Sequence, residues 1–381
     1  MAITQSILYV FAMLTENRST FRPEDVILLL TDITGMLIPK PAEEREILIQ
    51  RGVHYSEMLP LEYSPSERYI LEYYRALDGF ALETAKAVMT VTEKIYLEKR
   101  ESIVLVSLAR AGTPIGILIK RYLRHKYGID APHYTISIVR DRGIDDAAIK
   151  YILQKHSATH MQFVDGWTGK GAILDELYTA MIPYIGKLNK RLLLAVLADP
   201  ANITDICGTH DDIPIASSFL NSTVCGLMSR TVIIPGIHGI NKTSDNTLNN
   251  TFNNTLNGTF DNTFHGVAFF EEFRAQDRTY EFIERIENCI NDIDIPGFEE
   301  VWKIAKQFGI SDINLIKPGI GESTRVLLRR IPDMLLIAEN VELKYVAHLI
   351  QLAEEKHIPV KRYPLMRYKA CGIIKALTPD L

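Results

Sequence analysis

The sequence predicts an α/β protein: a doubly wound, mostly parallel sheet followed by a small C-terminal α/β/α sandwich. Three observations support this fold class. Apolar runs typical of buried strands alternate with helical periodicity through the middle of the chain. Two of those strands lead through loops of small and polar residues directly into helices. After the turn residues at 294–297, a second and shorter α/β alternation fills the rest of the chain.

Composition is that of an ordinary soluble protein. The 381 residues are 47% hydrophobic and carry a net charge of −5, so no basic excess points to nucleic acid. The apolar run at 7–14 is too short to span a bilayer and lacks a basic flank. We therefore expect a leader at 1–21, a cytoplasmic location and no membrane partner; a homodimer is one assembly left open. The four cysteines show no CxxC spacing, and we expect reduced thiols.

The larger domain is predicted at residues 22–293. Its strands are expected at 26–30, 103–107, 134–139, 161–165 and 192–198, with a long helix that begins near Ser66 and runs to Lys99. A low-complexity insertion at 241–266 contains a four-residue repeat of Asn, Asp, Gly and Thr with Leu or Phe. Because these residues favour turns and the period fits neither strand nor helix, we expect a disordered loop there.

The first chemical motif lies at 163–173, where an apolar strand ends in Asp165. A loop of Gly, Thr and Lys follows, and then a helix begins. Free loop amides and a helix N-terminus suit a phosphate, while the acid suits sugar hydroxyls or Mg²⁺. The phosphate-binding residues would be Thr168, Gly169, Lys170 and Gly171. A plain strand-to-helix turn is the alternative, and the Walker spacing is absent.

The second motif lies at 103–116, where another apolar strand enters a small-residue turn. Arg110 would neutralise an anion there, helped by amides that small side chains leave accessible. The other residues expected to bind it are Ser107, Ala111, Gly112 and Thr113. Since ligands of open α/β sheets bind outside the carboxyl ends of the strands, both motifs are expected at one edge of the sheet.

These two loops resemble those of a known family. Residues 107–112 are similar to the pyrophosphate loop of phosphoribosyltransferases, and 165–171 to their phosphoribosyl-pyrophosphate (PRPP) loop. More closely, residues from about 22 to 235 resemble the phosphoribosyltransferases of tellurite-resistance stress gene clusters. The segments that carry this are 60–66, 140–145, 197–201 and 220–223. Such chains also carry the name StiP, with a cysteine-protease label.

The resemblance implies a phosphoribosyltransferase-like fold and a PRPP-dependent glycosyl transfer to a nitrogenous acceptor, with Mg²⁺ as cofactor and pyrophosphate released, in a tellurite-resistance stress response. Asp165 would bind the ribose or the metal, with Arg110 and Arg140 as the other catalytic residues. The acceptor would be selected by Asp199, Asn221 and Ser222. Ordinary phosphoribosyltransferases carry two adjacent acids before the PRPP loop, whereas Asp165 stands here between Val164 and Gly166.

Two other functions stay open. A cysteine hydrolase would use Cys207 or Cys225 with His210 or His238; residues 207–210 do place a thiol near an imidazole in sequence, although no local protease signature accompanies them. A non-catalytic sensor would bind a phosphoribosyl ligand without turnover, which the single acid favours.

The last domain, residues 296–381, resembles the Pelota-like, kink-turn-binding RNA domains. The segments that carry this resemblance are 317–325, 336–341 and 370–372. It implies binding of structured RNA through the loop before a helix, with Gly321 where many RNA-binding members have Asn. The residues expected to contact RNA are Gly319, Glu322, Arg325 and Lys369.

Overall fold

The computed structural model describes residues 18–186, 189–215, 217–234, 263–292, 298–364, 366 and 368–376. Two compact units divide the chain, Met1–Asp292 and Ile293–Leu381. Residues 1–17 of the predicted leader, all but the last two residues of the repeat predicted at 245–264, and His238 lie outside the described residues.

The larger unit contains ten strands and seven helices among its described residues. The strands are β1 (Ile27–Leu28), β2 (Thr31–Asp32), β3 (Val104–Leu108), β4 (His133–Ile136), β5 (Ile138–Val139), β6 (Gly143–Ile144), β7 (Met161–Trp167), β8 (Leu194–Ala198), β9 (Ile206–Thr209) and β10 (Gly266–Val267). The helices are α1 (Ala42–Gln50), α2 (Glu67–Lys99), α3 (Gly112–Tyr127), α4 (Asp146–Leu153), α5 (Ala172–Ile185), α6 (Ser217–Leu220) and α7 (Thr279–Asp292).

The central sheet has six strands in the order β1-β4-β3-β7-β8-β9. Every neighbouring pair is parallel, so the predicted parallel α/β sheet is confirmed. Buried residues of adjacent strands, such as Val106, Phe163 and Val196, pack in one core cluster with Leu177 of α5. Strands that are buried in this way read as nearly continuous apolar runs, which is why β3, β7 and β8 could be predicted.

Local sequence signals explain where the helices begin and end. The Ser66 hydroxyl accepts a hydrogen bond from the Tyr69 amide at 3.3 Å and caps α2. Helix α3 starts within the small-residue turn after β3 and ends at Gly128, which has φ +69°. Gly171 has φ +85° and begins α5 directly after the loop that follows β7.

The structure differs from the prediction in three strands. The segment 134–139 is divided between β4 in the central sheet and β5, which pairs antiparallel with β6. The strand expected at 26–30 is reduced to the two residues of β1. Strand β9 was not predicted, because its four residues include Gly208 and their pairing depends on β8 and on contact with α2.

The end of the predicted insertion is part of the folded unit. Gly266 and Val267 form β10, which pairs parallel with β2 near the start of the chain. His265 is buried, and its amide donates to the Asp145 carboxylate at 2.6 Å. Residues 265–267 therefore join strand β2 and the start of α4 through hydrogen bonds made by their backbone.

The smaller unit is a four-stranded sheet with helices on both faces. Its strands are β11 (Ile316–Pro318), β12 (Pro332–Ala338), β13 (Val360–Tyr363) and β14 (Ala370–Ile374), and its helices are α8 (Phe298–Phe308), α9 (Ile320–Arg329) and α10 (Leu343–Glu355). The order is β11-β14-β12-β13. Leu336 packs in one core with Ile304 of α8, whereas its neighbour Leu335 packs in the other with Leu349 of α10. Alternate residues of β12 thus face opposite helical layers.

No helix within the described residues is both long enough and apolar enough to cross a membrane.

Candidate active site

The two predicted anion loops do lie together. Strands β3 and β7 are parallel neighbours, so the loops that follow them leave the same edge of the sheet. Gly112 packs so closely on the β7 backbone that a methyl group there would clash with the Val164 carbonyl and lie 3.1 Å from the Asp165 Cα. Small residues were predicted here so that a ligand could approach the backbone closely. In the structure, the β7 backbone makes that close approach to Gly112.

Arg110 is bound by the protein itself. Its guanidinium lies 3.1 Å from a Glu62 carboxylate oxygen and donates to the Met228 carbonyl at 2.7 Å. Only 16% of the Arg110 side chain and 6% of the Glu62 side chain are exposed. Glu62 also accepts from the amide of Ser222, a predicted acceptor residue that is itself buried. The charge expected to neutralise a diphosphate is therefore paired with a buried carboxylate.

Two other residues predicted at this loop have structural partners. Ser107 is buried; its hydroxyl lies 2.7 Å from His133 Nε2 and donates to the Gly112 carbonyl at 3.0 Å. The Thr113 hydroxyl lies 3.1 Å from that of Thr135, and both residues are fully buried. Burial lowers the pKa of His133 to about 4, so this imidazole is neutral. Both hydroxyls connect α3 and β3 to β4.

Asp165 carries a perturbed carboxyl. It accepts a hydrogen bond from the Gly166 amide at 2.7 Å, and burial raises its pKa to about 7. In the loop beyond it, Thr168 is buried and its amide donates to the Ala198 carbonyl at 3.2 Å, while Lys170 is exposed. An acid that is half protonated near neutral pH is a weaker metal ligand than an ordinary carboxylate.

The structure does not bring together the other residues that were predicted for catalysis and acceptor binding. Arg140 follows β5, is 59% exposed and pairs with Asp141 at 3.3 Å. Asn221 is partly buried directly after α6 and has φ +21°. Asp199 is fully buried at the end of β8, where it belongs to a different cluster.

That cluster contains a thiol, an imidazole and a lysine. Cys207 lies on β9, opposite Val196 of β8. Its Sγ is 3.5 Å from His210 Nε2, and His210 Nδ1 is 2.9 Å from the Asp199 carbonyl oxygen. Lys94 of α2 places its Nζ 3.7 Å from the same sulfur. Since Nδ1 must donate to the carbonyl, Nε2 is the nitrogen that carries the lone pair. The same sulfur lies 3.9 Å from Nδ1, so the imidazole must turn to direct that lone pair at the thiol.

Glycine at 208 makes this arrangement possible. A methyl group at Gly208 would clash with the Ala87 carbonyl of α2 and approach the Leu197 carbonyl of β8 to 2.7 Å. With hydrogen there instead, β9 packs directly against α2, which brings Lys94 over Cys207. After β9, the backbone amide of Asp199 donates to the Thr209 carbonyl at 2.9 Å, and the chain turns so that His210 returns to the sulfur.

Burial sets the resting state of the thiol. It raises the pKa of Cys207 above its usual value, and the positive charge of Lys94 opposes that effect. Cys207 is only 1% exposed, whereas His210 is exposed. The pair therefore consists of a neutral, buried thiol and an imidazole on its solvent side. The two side chains are close enough to act as nucleophile and base.

The other thiols have different surroundings. Cys225, the second nucleophile considered, is fully buried, and burial raises its pKa to about 12. The second imidazole considered, His238, lies outside the described residues. Cys289 lies on α7 and Cys371 on β14 of the smaller unit.

One potential metal-binding group occurs within the described part of the chain. Asp199, Cys207 and His210 each offer one ligand atom, and these atoms lie within 4.8 Å of one another. Oxygen, sulfur and nitrogen ligands of this kind suit Zn²⁺ rather than Mg²⁺.

The residues predicted to contact RNA lie near the start of α9 and at β14. Gly319 has φ +96° and precedes α9, where the carboxylate of Glu322 pairs with Arg325. Lys369 places its Nζ 4.6 Å from the centre of the Tyr345 ring. Both side chains of the Glu322–Arg325 pair are exposed, so the pair contributes little to stability.

Sequence reasoning missed two parts of the thiol cluster. Lys94 is 113 residues from Cys207, and nothing in either segment predicts their contact. The Asp199 backbone carbonyl carries no side-chain signal, although Asp199 itself was selected for another role. The available signal was a thiol and an imidazole three residues apart in the sequence.

Comparisons with known proteins identify both units. A family described as tellurite-like stress resistance cysteine protease StiP matches residues 19–287. A PELOTA RNA binding domain matches residues 296–376. A protein of Acinetobacter baylyi (strain ATCC 33305 / BD413 / ADP1) named cysteine protease StiP is 33% identical over 359 residues, which cover 89% of this chain and 90% of that protein.

The expected PRPP-dependent phosphoribosyl transfer is therefore wrong, since both the family and the relative are named as cysteine proteases. The catalytic roles given to Asp165, Arg110 and Arg140, and the Mg²⁺ site at Asp165, were predicted for that reaction. Arg110 paired with Glu62 and an Asp165 that is half protonated near neutral pH suit it poorly, whereas the thiol–imidazole pair fits the name. This chain belongs to the family of tellurite-like stress resistance cysteine proteases StiP.

Proposed function

We propose that the larger unit is a cysteine protease with Cys207 as nucleophile and His210 as general base. The observation that carries the proposal is the 3.5 Å separation of Sγ and Nε2, with His210 oriented through Nδ1 by the Asp199 carbonyl. Nucleophile, base and orienting group are the three parts that covalent hydrolysis requires. The neighbouring Lys94 ammonium stabilises the thiolate as it forms.

The reaction follows from these positions. His210 Nε2 takes the proton from Sγ, and the thiolate attacks the carbonyl carbon of a peptide bond. The tetrahedral intermediate collapses to a thioester as the imidazolium gives its proton to the departing amine. His210 then deprotonates a water that hydrolyses the thioester and restores the thiol. Because Cys207 is covered, the exposed His210 and its turn must move to admit substrate.

The test compares thiol variants of the full-length protein on denatured casein and a fluorogenic peptide library. Cys207→Ala should abolish hydrolysis, and His210→Gln should lower it by roughly 10²–10⁴-fold. Cys289→Ala removes a thiol from α7 and serves as the matched control, with activity unchanged. Cys225→Ala tests the rival nucleophile. Hydrolysis that survives Cys207→Ala but is lost in Cys225→Ala would reject the assignment.

We further propose that the smaller unit binds structured RNA, because the RNA-binding family matches 296–376 and the predicted contact residues lie on exposed surface at α9. The free amides at the start of α9 suit a phosphate, and the carboxylate of Glu322 can accept from a base amino group. Arg325 supplies charge for the RNA backbone.

The RNA test titrates the full chain with a kink-turn RNA and a straight duplex at two salt concentrations. We expect tighter binding to the kinked RNA, a preference that Glu322→Ala reduces. Arg325→Ala should weaken binding to both RNAs and flatten the salt dependence, because one phosphate contact is lost. Lys306→Ala, an exposed lysine of α8, is the control and should change neither. Equal affinity for both RNAs in every variant would contradict the proposal.

A further inference from the structure

The buried carboxylate of Asp199 is only half satisfied. Its Oδ2 accepts from the amides of Ile203 at 2.7 Å and Thr204 at 2.9 Å. Its Oδ1 is buried and makes no hydrogen bond within the described part of the chain. Leaving a buried charged oxygen without a partner is costly, so the position favours a cation. That carboxylate shares a cluster with Cys207 and His210, one ligand atom of each lying within 4.8 Å of the others.

The distance between the sulfur and Nε2 suits zinc. Zinc binds a thiolate at about 2.3 Å and an imidazole nitrogen at about 2.0–2.1 Å, so tetrahedral coordination separates those two atoms by about 3.5 Å. Cys207 Sγ and His210 Nε2 are 3.5 Å apart. The sulfur also lies 3.9 Å from Nδ1, so the imidazole of the exposed His210 turns to point Nε2 at the ion. The hydrogen bond from Nδ1 to the Asp199 carbonyl fixes the tautomer that leaves Nε2 free to bind metal, as acceptors that bond the other ring nitrogen of a histidine ligand commonly do. A thiolate and a carboxylate also balance the charge of the ion.

We infer that Asp199, Cys207 and His210 bind Zn²⁺, and that the bound ion silences the peptidase. Three protein ligands leave a fourth position for water. On binding, the Cys207 thiol releases its proton to solvent and the Asp199 Oδ1 gains its missing partner. The silencing rests on the proposed function, because Zn²⁺ occupies the sulfur lone pair that attacks substrate and the Nε2 lone pair that takes the proton. Metal binding and hydrolysis then exclude each other.

Metal binding is tested independently of activity. Full-length protein is freed of metal by chelator and dialysis and then titrated with Zn²⁺ by calorimetry and with Co²⁺ by absorption. We expect one equivalent to bind and Co²⁺ to give a near-ultraviolet thiolate charge-transfer band, which Cys207→Ser abolishes. Asp199→Asn keeps an acceptor for the two amides but lowers Zn²⁺ affinity at least about tenfold. Asp205→Asn, an exposed carboxylate two residues before Cys207, is the control and should bind normally.

The outcomes separate the two ideas. Absence of a thiolate band, or equal Zn²⁺ affinity in Asp199→Asn and wild type, overturns the metal site whatever the peptidase assay shows. If peptidase activity is found, one equivalent of Zn²⁺ should suppress it, excess chelator should restore it, and Asp199→Asn should need at least about tenfold more Zn²⁺. Full peptidase activity with bound Zn²⁺ would overturn the inference that the ion inhibits the enzyme. Zinc binding without any peptidase activity leaves the metal site and rejects the proposed function.

Discussion

Arg110 shows how a buried partner changes the role of an arginine in a small-residue loop. The sequence places it where an anion is expected, but Glu62, forty-eight residues earlier, accepts from its guanidinium. Nothing in the local pattern around 60–66 predicts that contact, because it depends on how the segment before α2 returns to the sheet. An arginine in a loop is therefore weak evidence for a ligand until the charges from distant segments are known.

Removing one member of this pair should destabilise the larger unit. Arg110→Ala leaves the buried Glu62 carboxylate unpaired, and we expect a loss of about 3–5 kcal/mol in the free energy of unfolding. Arg75→Ala breaks an exposed pair with Glu72 on α2 and should cost less than about 1 kcal/mol. Urea denaturation of both variants measures the difference; equal losses would show that the Arg110 pair is as solvated as the surface pair.

Asp165 should make stability depend on pH. Its folded pKa of about 7 exceeds the ordinary 3.8, so the folded state keeps a proton that the unfolded state releases. The contribution of this group is therefore fully present below pH 3.8 and is lost as pH rises through 7. Asp165→Asn should remove this fall in stability, because the amide cannot release a proton.

We expect Asp165→Asn to raise the free energy of unfolding relative to wild type at pH 8, by on the order of 1 kcal/mol or more, and to have a smaller effect at pH 5. Asp141→Asn, an exposed carboxyl, is the control and should shift stability little at either pH. Denaturation at the two pH values decides this; a variant destabilised equally at both would mean that the carboxylate is stabilised by charge in the folded state.

At the scale of elements, β9 determines the candidate active site. It contributes Cys207, lies at the edge of the central sheet and packs on α2 through Gly208. Strands β3, β7 and β8 could be predicted because their long apolar runs suit strands buried on both faces. Strand β9 could not, because a four-residue segment with a central glycine has no periodic signal and forms only against its neighbours. The Cys207–His210 spacing was visible, but the Lys94 contact required this packing.

Two glycine substitutions test that dependence. Gly208→Ala introduces a methyl group between the carbonyls of Ala87 and Leu197, neither of which can rotate away. We expect a loss of roughly 1–3 kcal/mol and of peptidase activity, since Cys207 moves with β9. Gly79→Ala places the same methyl group in open space within α2 and should stabilise by about 0.5–1 kcal/mol with activity intact. Thermal melts and the peptidase assay measure both; an active, stable Gly208→Ala would contradict the packing argument.

For the whole molecule, two units with separate cores predict separable unfolding. Leu335→Ala removes a fully buried side chain from the smaller unit and should destabilise that unit by about 2–5 kcal/mol. Peptidase activity should persist. Leu177→Ala makes the corresponding change in the larger unit and should lower its stability instead. Hydrogen exchange by mass spectrometry assigns each loss to 18–292 or 298–376; equal loss of protection in both ranges would show one cooperative unit.

The position of β14 has a consequence for synthesis of the chain. This strand pairs with both β11 and β12, although both precede it, so the sheet lacks an inner strand until residues 370–374 have left the ribosome. The amide of Gly319, ahead of α9, donates to the Ala370 carbonyl at 2.7 Å. The loop before α9 is thus held in part by a strand that is made after it. A nascent chain stalled before residue 370 should carry a larger unit able to fold but no surface able to hold a kinked RNA, so that the proposed RNA binding can begin only after translation has passed this strand.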